Sequence, residues 1–177
     1  MDTITVKDKQ FRLSIPEARI QAAIQREAER INKDYEGREP LFLAVLNGAF
    51  MFAADLMRNV SIPSEISFVK LASYEGMGTT GKVKSLIGLP EGIRGRHVVI
   101  VEDIVDTGLT MLHLLETLRA QEPASISVCT LLLKPEKLQV DLDIKYCALE
   151  IPNEFIVGYG LDYDGQGRNL RDIYTVV

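Results

Sequence analysis

Residues 98–111, VVIVEDIVDTGLTM, decide the fold class because they join a buried strand, an acidic and hydroxyl-rich loop, and a helix. The four β-branched residues 98–101 do not alternate with polar ones, which predicts a strand buried on both faces. Over residues 109–121, apolar side chains recur at helical spacing. A strand, a loop and a helix in this order predict an α/β fold that binds ligands at the carboxyl ends of its parallel strands.

The residue types of the loop fit a phosphorylated sugar. Residues 106–110, DTGLT, offer backbone N–H groups and two hydroxyls at a helix N-terminus, where the helix dipole attracts a phosphate. Glu102 and Asp103 can only accept when ionised, so they suit a vicinal diol or, through water, a divalent cation. The alternative is that Asp106 caps the helix and the other two acids are solvated loop charges.

An apolar strand, Glu-Asp, two aliphatic residues, Asp-Thr-Gly, one residue and Thr follow one another in this stretch. This order closely resembles the phosphoribosyl pyrophosphate (PRPP) signature of the type I phosphoribosyltransferases. The residues that it implies for PRPP binding are Glu102, Asp103, Ile104, Val105, Asp106, Thr107, Gly108, Leu109 and Thr110.

Four further motifs narrow the resemblance to the hypoxanthine and hypoxanthine-guanine phosphoribosyltransferases, and they occur in the order expected of that group. They are residues 45–56 (VLNGAFMFAADL), 71–81 (LASYEGMGTTG), 131–135 (LLLKP) and 151–163 (IPNEFIVGYGLDY). The resemblance implies a type I phosphoribosyltransferase fold, with a central, mainly parallel sheet flanked by helices. It also implies one domain over residues 1–177, with a small hood formed mainly by about residues 145–177 and part of the N-terminus.

The activity that the resemblance implies is purine salvage: Mg²⁺-dependent transfer of the 5-phosphoribosyl group from PRPP to hypoxanthine and guanine. Asp106 matches the family's catalytic position near purine N7, where a carboxylate acts as general base or electrostatically. The alternatives are a guanine- or xanthine-preferring enzyme and a PRPP-sensing regulator of the same fold. The acidic balance of the chain speaks against the regulator, because such a protein would bind nucleic acid.

For the purine, the resemblance implies four contacts. Lys134 donates to the 6-oxo group, Phe155 stacks on the base, and Ile156 offers its backbone at the base edge, with Asp162 close by. Considered alone, Lys134 fits a solvated strand end and Phe155 fits a core position. Glu102, Asp103 and Asp162 are the implied metal contacts.

The pyrophosphate contacts implied by the resemblance come from two places. One is the turn Leu46, Asn47 and Gly48, often with a non-proline cis bond in the family; the other is Arg168. Asn47 stands where several relatives carry lysine. Residues 73–85 match a flexible catalytic loop whose pair is Ser73 and Tyr74, although a floppy hairpin fits their composition equally well.

Composition supports an ordinary globular chain of 177 residues, with 46% hydrophobic and 25% charged residues. A net charge of −5 argues against nucleic acid as a partner, and no apolar run could span a membrane. The N-terminal sequence is polar, so we expect a cytoplasmic protein. Cys129 and Cys147 fit buried hydrophobic positions, and the family resemblance favours a homodimer or homotetramer.

Elsewhere the pattern predicts an amphipathic helix over residues 16–35 and a strand, helix and strand over residues 41–46, 49–57 and 65–72. Another strand is predicted over residues 125–133. Short strand-like pieces over residues 145–150, 155–159 and 173–176 are expected to form the hood.

Overall fold

The computed structural model describes residues 3–72, 84–88 and 92–177. Its helices and strands follow one another along the chain as β1 (Thr3–Val6), β2 (Lys9–Ile15), α1 (Glu17–Asp34), β3 (Leu41–Leu46), α2 (Phe50–Asn59), β4 (Glu65–Ala72), β5 (Lys84–Ile87), β6 (His97–Val105), α3 (Leu109–Arg119), β7 (Ser125–Leu133), β8 (Tyr146–Glu150), β9 (Ile156–Val157) and β10 (Ile173–Val176). The predicted α/β class is confirmed.

The larger sheet has the strand order β5-β4-β3-β6-β7-β8. Five strands run parallel, and β5 pairs antiparallel with β4 at one edge. Helices α1 and α2 cover one face and α3 covers the other, so β3 sends Phe42 and Ala44 to the first face and Leu41, Leu43 and Val45 to the second. Burial on both faces explains why β3 is continuously apolar.

The smaller sheet has the order β1-β2-β10-β9 and joins the two ends of the chain. Phe11 and Val157 are buried in its small core, with Tyr163 and Leu170 packed against them. This sheet corresponds to the predicted hood, and its N-terminal part is larger than the sequence suggested.

Residues 145–150 were assigned to the hood, and the structure corrects that placement. Strand β8 pairs parallel with β7 in the large sheet, in register from Cys129 and Tyr146 onward. Arg26 of α1 donates from Nη2 to the carbonyl of Ala148 at 2.5 Å. The open side of this edge strand is thereby partly hydrogen-bonded by the neighbouring helix.

Candidate active site

Strand β6 extends four residues further than the apolar run predicted. Glu102 pairs with Thr130, Ile104 with Leu132 and Val105 with Leu133 across β6 and β7. Glu102, Asp103, Ile104 and Val105 therefore belong to the strand, and the predicted loop over these residues is wrong. The connection to α3 is reduced to Asp106, Thr107 and Gly108.

This short connection has the geometry of an anion site. Gly108 has φ +85°, and a Cβ there would lie 2.8 Å from Leu142 Cδ1 and 2.9 Å from Val140 Cγ2, so the position requires glycine. The hydroxyl of Thr107 accepts from the N–H of Leu109 at 3.4 Å, while Asp106 pairs with Lys137, so the capping alternative for Asp106 is wrong. The amides at the start of α3 border a cavity of about 90 Å³, lined by Glu102, Ile104, Val105, Asp106, Thr107, Gly108, Thr110 and Met111.

Asp103, one of the two neighbouring acids of β6, meets the turn after β3. Asp103 Oδ1 accepts from the backbone N–H of Ile104 at 2.8 Å, while Oδ2 lies only 1.8 Å from where a Cβ of Gly48 would stand. The peptide bond between Leu46 and Asn47 is cis. Burial and the adjacent Asp103 carboxylate raise the pKa of Glu102 well above its usual value. Two motifs more than fifty residues apart thus share one corner of the sheet.

Asp106 faces two ammonium groups. Lys134 Nζ lies 3.9 Å from Asp106 Oδ2. Lys137 Nζ donates to Oδ2 at 3.0 Å and lies 3.0 Å from Oδ1. Burial lowers the pKa of Lys134, and the nearby Asp106 carboxylate opposes that shift. Lys137 lies outside every motif of the sequence, and its spacing of three residues from Lys134 across Pro135 is the signal that could have pointed to it.

Phe155 precedes β9 and remains 47% exposed, so one part of its ring is available to a ligand. Its ring centroid lies 5.7 Å from that of Tyr163, edge to face, and 6.3 Å from that of Phe11. Ile156 is buried and pairs with Thr175 of β10, which holds its backbone in place. Phe155 is therefore not a core residue, because only about half of it is buried.

Arg168 and Asp162 are bound to each other within the hood. Arg168 donates from Nη1 to the carbonyl of Gly160 at 2.8 Å, and its Nη2 lies 3.1 Å from Asp162 Oδ1. The other oxygen of Asp162 accepts from the N–H of Gly165 at 2.8 Å. Gly160 in turn packs on the carbonyl of Gly48, because a Cβ at position 160 would lie 2.2 Å from it. The hood loop therefore rests directly on the pyrophosphate turn predicted from the sequence.

Asp162 does not join Glu102 and Asp103 in a metal cluster. Over residues 3–72, 84–88 and 92–177, no three His, Cys, Asp or Glu side chains could hold a metal ion together. Both oxygens of Asp162 are already bonded within its own loop. The metal contacts predicted at Glu102, Asp103 and Asp162 therefore remain a prediction, with only Glu102 and Asp103 adjacent on β6.

Three further features predicted from the sequence are the state of the cysteines, the pair Ser73 and Tyr74, and membrane spans. Cys129 and Cys147 are free thiols, the first buried and the second partly buried, as expected. Ser73 and Tyr74 lie outside the described residues. Among the helices of the described chain, none is both long and apolar enough to cross a membrane.

Comparison with known proteins agrees with this geometry. The model of the phosphoribosyl transferase domain matches residues 16–164. A hypoxanthine phosphoribosyltransferase of Salmonella typhimurium is 45% identical over 166 residues, covering 92% of this chain and 93% of the relative. A hypoxanthine-guanine phosphoribosyltransferase of Mycobacterium tuberculosis is 42% identical over 164 residues, covering 89% and 81%.

A solved structure of a protein in the same family has a similar fold. The hypoxanthine-guanine phosphoribosyltransferase of Bacillus anthracis superposes with a TM-score of 0.88 at 43% identity, covering 94% of this chain and 96% of that one. Both the sequence match and the fold extend over the strands, turns and hood loop that form the site. The chain belongs to the phosphoribosyl transferase domain family.

Proposed function

We propose that this protein is a purine-salvage enzyme that transfers the 5-phosphoribosyl group from PRPP to hypoxanthine and guanine, releasing pyrophosphate. The observation that carries the proposal is the juxtaposition of Lys134, Asp106 and the glycine-containing anion loop at one end of the parallel sheet. A base with a 6-oxo group and a ring N–H needs a hydrogen-bond donor such as Lys134 beside an acceptor such as Asp106. A 5-phosphate needs the backbone N–H groups that the anion loop provides.

Lys134 is the proposed specificity residue for the base. Its ammonium can only donate a hydrogen bond, so it pairs with the 6-oxo group of hypoxanthine or guanine. The 6-amino group of adenine, which is also a donor, finds no acceptor there. Asp106 is the proposed catalytic residue, which holds or removes the proton at N7 while the glycosidic bond forms. Phe155 would stack on the base, and the backbone near Ile156 would border its edge.

PRPP would lie across the end of β6 and the turn after β3. The amides of residues 106–110 would hold the 5-phosphate, and Glu102 and Asp103 would accept from the ribose hydroxyls. The turn at Leu46, Asn47 and Gly48 would hold pyrophosphate through main-chain N–H groups, with Arg168 contributing its planar fork. Support for this arrangement is the contact of Gly48 with Asp103 and Gly160.

Mg²⁺ is the cofactor that we propose, because the donor set fits it. Two adjacent carboxylates on β6 suit an ion that takes one or two protein carboxylates and completes its shell with substrate oxygens and water. Bound there, Mg²⁺ would neutralise charge on the departing pyrophosphate. Glu102 and Asp103 are the residues that would hold it, while Asp162 keeps Arg168 oriented.

Removal of divalent metal should abolish turnover without unfolding the protein. We expect no measurable IMP formation after EDTA treatment and full recovery with excess Mg²⁺, while circular dichroism stays unchanged. Among the described residues no three His, Cys, Asp or Glu side chains could hold a structural metal together, so we expect the fold to persist without metal, and loss of structure with EDTA would contradict this assignment.

Lys134→Ala should weaken binding of the 6-oxopurine far more than binding of PRPP. Loss of a hydrogen bond to a charged group costs roughly 1.5 to 3 kcal/mol, which corresponds to a rise of about ten- to a hundredfold in the KM for hypoxanthine. Steady-state kinetics with each substrate varied would measure this. An equal rise in the KM for PRPP would assign Lys134 to another part of the site.

One assay tests the whole proposal: PRPP-dependent conversion of hypoxanthine, guanine and xanthine to their nucleotides, with and without Mg²⁺. Dominant use of guanine or xanthine would support the alternative specificity. PRPP binding with no turnover of any base would support a sensor of PRPP instead.

The proposed enzyme is a homodimer or homotetramer. Ile66 and Phe68 point to the same face of β4 and remain 38% and 40% exposed, which supports burial of this face against a second copy. Membrane or nucleic acid is not a partner in this proposal, given the net charge of −5.

A further inference from the structure

We infer that Lys137 is a positioning residue for the transfer reaction: it occupies the Asp106 carboxylate before the base arrives and so keeps Lys134 available to the 6-oxo group. The inference rests on the proposed function and deepens it. It concerns a side chain that neither the loop motif nor the LLLKP motif includes.

The distances decide which ammonium holds Asp106. Lys137 Nζ lies 3.0 Å from both carboxylate oxygens, whereas Lys134 Nζ is 3.9 Å from the nearer one, too far for a hydrogen bond. The side chain of Lys134 is only 8% exposed and that of Lys137 is 39% exposed. A buried ammonium gains more from a carboxylate than a solvated one does, so Lys134 would close on Asp106 if Lys137 were absent.

Local backbone structure explains how Lys137 reaches the site. A 3₁₀ turn at Pro135–Lys137 follows β7, and the N–H of Lys137 donates to the carbonyl of Lys134 at 3.1 Å. The N–H of Lys134 donates to the carbonyl of Val105 at 3.1 Å, which ties the turn to the end of β6. Both lysines therefore project back toward the residue that follows Val105, which is Asp106.

The two lysines would therefore have separate roles in the reaction: Lys137 binds Asp106, and Lys134 binds the base. A direct pair between Lys134 and Asp106 would satisfy both groups that the base needs, and the incoming purine would have to break it. With Lys137 on Asp106, the purine meets a Lys134 ammonium that is not hydrogen-bonded to Asp106, and it displaces only a half-exposed lysine from the carboxylate. Solvent stabilises that displaced ammonium readily.

The test compares Lys137→Met with Lys137→Arg and with Glu136→Gln, an exposed neighbour on the same turn. We expect Lys137→Met to raise the KM for hypoxanthine about tenfold, the effect of one charge-assisted hydrogen bond, while kcat and the KM for PRPP change less than about twofold. Lys137→Arg should restore most of the loss, and Glu136→Gln should match the wild type.

Binding measurements separate this role from a structural one. By titration calorimetry, Lys137→Met should lose affinity for IMP but keep that for ribose 5-phosphate, which lacks the base. In an Asp106→Asn background, Lys137→Met should have no further effect on IMP, because its partner is gone.

Three results for Lys137→Met would overturn the role of Lys137 while the wild type remains active. They are an unchanged KM for hypoxanthine, a loss of affinity for ribose 5-phosphate as large as that for IMP, or an undiminished further loss of affinity for IMP in the Asp106→Asn background. A wild type that neither turns over hypoxanthine nor binds IMP would instead overturn the proposed function and the inference with it.

Discussion

Asp106→Asn is expected to lower kcat for IMP formation on the order of 10²- to 10⁴-fold, the range typical of a lost general acid or base. The substitution keeps the size of the side chain and removes the charge that lies between Lys134 and Lys137. The affinity for PRPP should change little, because the loop amides and Gly108 stay in place. Rapid-quench measurement of IMP formation with saturating PRPP would give the effect on chemistry alone.

A matched control for this change is Asp141→Asn, which removes an exposed carboxylate elsewhere on the chain. Its kcat should equal that of the wild type. An Asp106→Asn enzyme with unchanged turnover would show that Asp106 only balances the charge of the two lysines.

Gly48→Ala is expected to lower kcat/KM for PRPP by about a hundredfold or more, because displacement of reacting groups by about 1 Å has effects of that size. A Cβ at position 48 would lie 1.8 Å from Asp103 Oδ2 and 2.6 Å from Asp103 Cγ, so the turn or the carboxylate must move. Both belong to the proposed PRPP site. Steady-state kinetics with PRPP varied, together with thermal unfolding, would separate a lost site from a lost fold.

Gly88→Ala is the control for the added methyl group. A Cβ at position 88 would have no atom of residues 3–72, 84–88 and 92–177 within 4 Å of it, and φ is not positive there, so we expect alanine to be accepted without effect. Gly48→Ala with wild-type kinetics would mean that Asp103 can move aside at no cost, and that its position beside the turn is not needed for binding PRPP.

Strands of the large sheet were predictable where both faces are buried. Leu41–Leu46 and Ser125–Leu133 have the predicted bounds, because a mainly apolar run has few other stable placements. Glu65–Ala72 also has the predicted bounds, although Ile66 and Phe68 remain exposed on one of its faces. The end of β6 was not predictable in this way. Glu102 and Asp103 look like the start of a loop, but pairing with β7 continues through Val105. Hydrogen bonding to a neighbour decided the strand's length.

In the candidate site, too, residues that are contiguous in sequence were predictable, and residues that only the fold brings together were not. The anion loop could be predicted because its glycine, hydroxyls and helix start are contiguous in sequence. Lys137 was missed because an exposed turn lysine carries no pattern of its own, and only the fold brings it to Asp106. Strand β2 was also missed, although Phe11, Leu13 and Ile15 alternate with polar residues as in a half-buried strand.

The pairing of β2 with β10 joins residues 11–15 to residues 173–176, which lie at opposite ends of the chain. The small sheet can therefore close only after residues 173–176 have been synthesised, whereas β3, β4, β6 and β7 can assemble earlier from closer segments. During synthesis the phosphate-binding end of the molecule would form first. The N–H of Val176 in β10 donates to the carbonyl of Phe155 at 3.0 Å, so the aromatic side chain proposed to stack on the base is fixed only after β10 has paired.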